Sequence, residues 1–435
     1  MTNPVGHITV GTGVGLVLAN MIGAGVLLSA GFMAETMGPE EILLSWAFGL
    51  AVALCGTRAY GFVAAVNQKS GGEYRYLTDH LHPFAGFLAG TSSLILGFAA
   101  PIAVDAIAIG AYATILGAPL PPRAIAAVVV ISLALIHIWE FRTSDRVQNV
   151  LVMAKVLALL AFVAVGLSYG SMAWPTWEPA NPSASFPIDS FFANQYWIVF
   201  AFAGWNAAIY AAAEFRNPIR DVPRAMLIGC LLVGILYLIV NWIFVANMTP
   251  EMGRVVFDYE TTRITLGHAI MEQLVGRNGA IFASALVILA FLAAISAMTL
   301  VGPRVYAEMG RDGVLPEFFA GTGGKPPWAA TALQAAIALI FLLRSDVLAA
   351  VGVVGALLML SSAATCLCVF SIHRQPDLPD APLIDRLAAG AYIVAMSWCI
   401  WLGWSSFGGN VISVGSVVLG AAVIFAWQQR LRAKS

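Results

Sequence analysis

Long apolar runs separated by short polar, glycine or proline segments follow one another along nearly all 435 residues of the chain. A helix needs about 20 apolar residues to cross a bilayer. On that rule the pattern predicts about twelve spans, numbered in chain order, at 8–34, 40–66, 84–116, 123–139, 146–169, 193–214, 224–247, 278–303, 328–344, 347–372, 387–407 and 411–428. Span three is long and contains Pro101, which predicts a tilt or kink. Two longer connections occupy about 170–192 and 248–277. In the second, Thr249-Pro250-Glu251 reads as a helix start and Ile264 to Leu274 as a short surface helix.

Two spans are interrupted. Asn20-Met21-Ile22-Gly23-Ala24-Gly25 breaks span one, and Phe202-Ala203-Gly204-Trp205-Asn206 breaks span six. An unbroken membrane helix satisfies its own backbone, whereas a broken one leaves N–H and C=O groups that need a ligand, a cavity or another helix. Glycine breaks at corresponding places in two halves point to a transporter built from inverted repeats. Spans one to five and six to ten start on opposite sides, because five is odd, and the broken span opens each block. The expected organisation is one transmembrane domain, with a first repeat over 8–169, a second over 193–373, and two additional helices over 387–428.

Composition strengthens the membrane reading. The chain is 60% hydrophobic and 10% charged, against roughly 25% charged in soluble domains, and its mean hydropathy is +0.85. The net charge of −1 names no partner, and no basic face or RNA-binding signature supports nucleic acid. With the N-terminus inside, fifteen of the 22 Lys and Arg residues fall in inside segments. Five fall outside (Arg123, Arg254, Arg263, Arg277, Arg344), and Arg58 and Lys155 lie within spans. Both termini are therefore expected to be cytoplasmic. Compact loops suggest a bacterial inner membrane. The first run lacks a basic n-region and reads as a span rather than a cleaved leader. Cys55, Cys230, Cys366, Cys368 and Cys399 lie in apolar runs and read as buried thiols, with no ligand set for a metal around Cys366 and Cys368. No cofactor is expected.

Gly23-Ala24-Gly25, Ser70-Gly71-Gly72-Glu73-Tyr74-Arg75-Tyr76-Leu77, Phe200-Ala201-Phe202-Ala203-Gly204-Trp205-Asn206, Asn217-Pro218 with Pro223-Arg224-Ala225, and Pro303-Arg304-Val305-Tyr306 through Arg311-Asp312-Gly313-Val314-Leu315-Pro316 occur in this order. Together they resemble the amino acid–polyamine–organocation (APC) superfamily, and the piece around Gly204-Trp205-Asn206 is most similar to its L-type amino acid transporter branch. The resemblance implies an all-α LeuT fold with helices 1 and 6 broken and alternating access around a midplane amino acid site. The chain departs from the pattern twice. The acidic residue usual near the end of span two is replaced by Phe62, one turn after Arg58. The loop 117–123 has no Cys, so a disulfide-linked heavy chain is not expected.

The candidate site follows from the breaks. Ile22, Gly23, Ala24 and Gly25 offer N–H groups at the opening of a half-helix to a carboxylate, although small residues also serve close helix packing. Phe202, Ala203 and Gly204 offer carbonyls to an ammonium group. The resemblance makes Phe200 a gate aromatic and Asn206 a polar wall residue. Lys155 lies about nine residues into span five, roughly 13 Å from the inner edge. An ammonium there is paired, neutralised or functional. The resemblance places it where sodium-driven relatives bind an ion, against the broken backbone of span one, either as a fixed pin or as a proton-releasing coupling group. Asp105, near mid-membrane in span three, has three readings: a counter-ion for an amine, a proton site, or a helix–helix hydrogen bond. Glu214 suggests an inner gate or a solvated helix end, and Ser296 a lining for the lysine region or a bond to its own helix. The leading expectation is sodium-independent secondary transport of an amino acid, neutral by preference, by proton coupling or exchange. A cationic amino acid or polyamine is the alternative through Asp105. A membrane enzyme lacks a nucleophile, base or metal set, and a non-transporting sensor would usually carry a soluble domain.

Overall fold

The computed structural model describes residues 6, 8–23, 25–34, 36–139, 141–179, 188–249, 252, 265–321, 326–343, 347–406, 415 and 418–426. Ala24 lies outside the described residues, as do Pro250 and Glu251. For Phe200 the backbone is described but the side chain is not.

Helix occupies each of the twelve predicted spans. Span one is the pair Val10–Met21 and Gly25–Met33, span two is Pro39–Val66, and span three runs from Pro83 to Ile115. Spans four and five are Pro122–Trp139 and Phe141–Tyr169. Span six is Ile188–Phe202 followed by a 3-10 segment, Ala207–Glu214. Spans seven to eleven are Pro218–Asn247, Arg277–Arg311, Trp328–Leu343, Val347–His373 and Leu383–Ser406. Span twelve is helical over 418–426. Among the described residues, seven helices are long and apolar enough to cross a membrane alone, and the bent pair of span one makes an eighth.

Local chemistry explains the main irregularities. Proline stands at the first turn of spans two and seven, where its missing N–H is no loss. In span three, the seven residues Ser93–Ala99 form a π-helical segment just before Pro101. Pro101 supplies no N–H to the preceding turn, and the wider turn accommodates the gap. The predicted kink thus takes the form of a π segment. The only β feature among the described residues is a bridge between Ile8 and Phe215, in which Ile8 N–H donates to the Glu214 carbonyl at 2.9 Å and Arg216 N–H to the Ile8 carbonyl at 3.0 Å.

Spans two and seven pack along one another, and span seven also covers the first half of span one. A Cβ on Gly229 would lie 2.6 Å from Val17, so the helix backbones meet through small residues. The expected surface helix forms as Leu266–Val275, with Glu272 and Gln273 exposed and its other face buried. Leu266, Ile270 and Met271 are fully buried, and the helix packs on the second half of span one and on span eight. Its apolar residues, every third or fourth, turn inward because a broken span leaves a face to cover.

Candidate functional site

Span one stops where Ile22 N–H closes the last turn on the Leu18 carbonyl at 3.1 Å and Ile22 itself turns extended. The chain bends by 48° before the helix resumes at Gly25. Three carbonyls that the break would orphan have donors. Lys155 Nζ donates to Ala19 O at 2.8 Å and to Ile22 O at 2.6 Å. The Tyr237 hydroxyl of span seven donates to Met21 O at 2.6 Å and lies 3.2 Å from Ala201 O, so one hydroxyl touches both broken spans. Lys155 has no solvent exposure, and it sits behind the break rather than on a cavity wall.

Span six ends its α-helix at Phe202, turns over 203–206, and resumes as a 3-10 helix. Gly204 has φ of +102°, a conformation that side chains strain. A Cβ there would lie 2.8 Å from the backbone of Asn20, and one on Gly25 would lie 2.8 Å from Ala201. The two breaks therefore touch, and glycine is what lets them. The Gly204 carbonyl accepts the Ala207 N–H at 3.0 Å, so it is not the free carbonyl that the sequence predicts, although it keeps one lone pair for a ligand.

A cavity of about 200 Å³ opens at this junction. Of the predicted residues, Gly23, Gly25, Ala203, Gly204, Asn206 and Asp105 line it. Ile22 does not; its carbonyl serves Lys155. Nor does Phe202, whose ring packs on Trp46 and Tyr237 with centroids 6.0 and 5.4 Å away. Asp105 is partly exposed to the cavity, within Coulombic range of Lys155, and makes no hydrogen bond to a described residue. Its expected helix–helix hydrogen bond is thus not found among those residues.

Glu73 is the residue that sequence reasoning passed over. It lines the cavity at 6% exposure and accepts three hydrogen bonds: Asn206 Nδ2 at 2.6 Å, Tyr210 hydroxyl at 2.6 Å and Tyr60 hydroxyl at 3.1 Å. Asp105 is therefore not the only carboxylate that lines the cavity. The available signal was Gly71-Gly72, with φ of +110° and +58°, which turns the helix Gly72–His80 back into the protein beneath Tyr210.

On the side where span six ends, Glu214 makes a two-pronged ion pair with Arg304 of span eight, at 2.6 and 2.9 Å. Arg75 reaches Glu308 at 3.1 Å and Asp312 at 2.9 Å. Arg58 pairs with Asp385 at the start of span eleven. Ser296 bonds His137 of span four at 2.8 Å, neither its own backbone nor Lys155.

Two broken spans meeting at a buried cavity in an all-helical, multi-pass membrane bundle define a secondary transporter of the LeuT fold. The amino acid permease family model matches residues 10–428, and the chain belongs to that family, within the APC superfamily. Large neutral amino acids transporter small subunit 2 of Homo sapiens is 25% identical over 96% of this chain and 80% of its own length. The b(0,+)-type amino acid transporter 1 of Mus musculus is 27% identical over 55% of this chain and 51% of its own. The Asc-type amino acid transporter 1 of Mus musculus is 24% identical over 70% and 58%. Membership in a permease family, rather than any missing side chain, sets the chain apart from enzymes.

Proposed function

We propose that the chain carries amino acids across a plasma membrane by sodium-independent alternating access. The N–H groups at Gly23 to Gly25 face the α-carboxylate with the positive end of a half-helix, and the Ala203 and Gly204 carbonyls face the α-ammonium. The observation that carries this reading is the contact between the two breaks at one wall of the cavity, with Gly204 on Asn20 and Gly25 on Ala201. Sodium independence follows from Lys155. Its ammonium occupies the Ala19 and Ile22 carbonyls that a bound cation would need. Whether transport is proton-coupled or exchange turns on whether that ammonium releases its proton.

Small, apolar surroundings favour a neutral substrate. A cationic amino acid or polyamine is the second reading, and one observation favours it: Glu73 and Asp105 both line the cavity, whereas no Lys, Arg or His does among the described residues. The Glu214–Arg304 pair serves as the inner gate, because it ties the second half of span six to span eight. The repeats at 8–169 and 193–373 rock against each other around this site. We place both termini in the cytoplasm of a bacterial cell on the strength of the Lys and Arg distribution and the compact loops; the mammalian relatives bear on neither point. The loop 117–123 has no Cys, which supports work without a disulfide-linked heavy chain.

Uptake of a labelled amino acid panel into proteoliposomes, with and without sodium and with and without a pH gradient, tests the reading. Transport that requires sodium removes the role given to Lys155. No uptake of any amino acid or polyamine leaves a non-transporting sensor.

A further inference from the structure

A groove of about 490 Å³ opens between the end of span ten and the start of span eleven, and it shares no lining residue with the transport cavity. Its polar end is formed by His373, Arg374 and Arg386. Arg386 Nη1 donates to His373 Nε2 at 3.0 Å, and Arg386 Nε is buried without a hydrogen-bond partner among the described residues. Nearby acids do not neutralise the arginines. Asp385 is paired with Arg58, Asp380 lies 3.2 Å from His373 Nδ1, and Asp377 makes no ion pair among the described residues. Neither Arg374 nor Arg386 has an acidic partner among those residues, so two positive charges stand at one end of an open groove.

The rest of the groove is apolar and continues up span eleven. Leu383, Leu387, Val394, Trp398 and Trp401 are exposed, and their spacings of three, four or seven put them on one helix face. Gly390 belongs to the same face, and a Cβ added there would meet nothing within 4 Å. It is a notch in an outward-facing apolar stripe that starts at the arginines. In a membrane helix such a stripe meets acyl chains, and basic side chains at its foot lie at headgroup depth.

We propose that this groove binds an anionic phospholipid, its phosphate between Arg374 and Arg386 and an acyl chain along the stripe past Gly390. A soluble anion would use the arginines and leave the notch empty. A zwitterionic lipid would bring its own cation against them.

The test uses the full chain in nanodiscs of mixed phosphatidylglycerol and phosphatidylcholine, extracted gently and weighed by native mass spectrometry. The wild type is expected to retain phosphatidylglycerol preferentially. Arg374→Gln and Arg386→Gln should each weaken retention about fivefold, the effect of one basic residue near an anionic surface. Gly390→Leu leaves every charge in place and should also weaken retention, while its melting temperature shows that the fold is kept. Equal retention of the two lipids, or unchanged retention in the Arg374→Gln/Arg386→Gln double variant, overturns the proposal. So does displacement by millimolar inorganic phosphate combined with unchanged retention in Gly390→Leu, which identifies a bare anion site.

Discussion

Lys155→Met nearly keeps the volume of the side chain and deletes its three N–H donors. The Ala19 and Ile22 carbonyls then lose contacts of 2.8 and 2.6 Å at a buried position. A buried acceptor left unmade costs about 1–3 kcal/mol, so the pair costs about 2–6 kcal/mol. The substitution also removes a buried charge, whose desolvation is itself unfavourable by several kcal/mol. The two effects oppose, and the net loss of stability should be no more than about 3 kcal/mol. Function is the sharper readout. The carbonyls belong to the backbone that leads into Gly23 and Gly25, whose N–H groups we propose to meet the substrate carboxylate, and a misplacement of about 1 Å costs roughly 100-fold in a positioned site. Initial uptake in proteoliposomes should therefore fall about 10- to 100-fold at equal reconstituted protein. Tyr237→Phe serves as calibration: it removes one neutral donor from Met21 O and no charge, and should cost about 1–3 kcal/mol with a smaller loss of uptake. Wild-type uptake in Lys155→Met would refute the reasoning. A large effect of Tyr237→Phe beside a negligible one of Lys155→Met would show that the tyrosine, not the ammonium, holds the break.

Gly204→Ala combines a left-handed backbone, worth roughly 1–2 kcal/mol of strain, with a Cβ 2.8 Å from Asn20. It should abolish uptake and lower the yield of monodisperse protein, whereas Gly15→Ala, with nothing within 4 Å, should do neither. Glu214→Gln, Arg304→Gln and their double variant should show coupling of about 0.5–3 kcal/mol in a thermal-melt cycle, and additive effects would dismiss the pair as a tie. Asp105→Asn should spare uptake of neutral amino acids and weaken inhibition by lysine if the cationic reading holds; unchanged inhibition removes that reading. Burial holds His268, on the helix Leu266–Val275, below the ordinary 6.5, with Glu272 opposing. Below pH 6.5 the unfolded chain takes up a proton that the folded chain resists, so the contribution of His268 to stability is constant well above 6.5 and falls on acidification. His268→Gln should flatten the decline in melting temperature between pH 7 and 5; an unchanged slope counts against the buried imidazole.

The spans were legible because lipid leaves few alternatives: a chain segment in hydrocarbon must be apolar and close its own hydrogen bonds. Gly23, Gly25 and Gly204 were legible as breaks for the same reason. Their mutual contact was not, since nothing in the spacing of residues 20 and 204 says that two half-helices will cross. Lys155 announced itself as a charge in an apolar run, and the resemblance named the backbone it should meet. Tyr237 stayed silent, because a tyrosine in an apolar span is ordinary until its hydroxyl is seen between two broken backbones. The helix Leu266–Val275 was legible as a helix, but burial depends on the gap it fills.

Glu73 was hidden by its neighbours. It follows two glycines at the end of a span, where a carboxylate is usually solvated, and the chain instead folds it back among Tyr60, Asn206 and Tyr210. Its placement changes what Asp105 means. A carboxylate has about four acceptor sites, and Glu73 spends three of them on neutral donors. Two of those donors come from the turn and second half of span six, so Glu73 holds that half-helix against the end of span two. Little of it remains for a substrate ammonium. Asp105 has no hydrogen bond to a described residue and faces the same cavity. If the substrate carries a second positive charge, as in the cationic reading proposed above, Asp105 is the carboxylate at this cavity left to meet it, which is why Asp105→Asn is the variant that tests that reading.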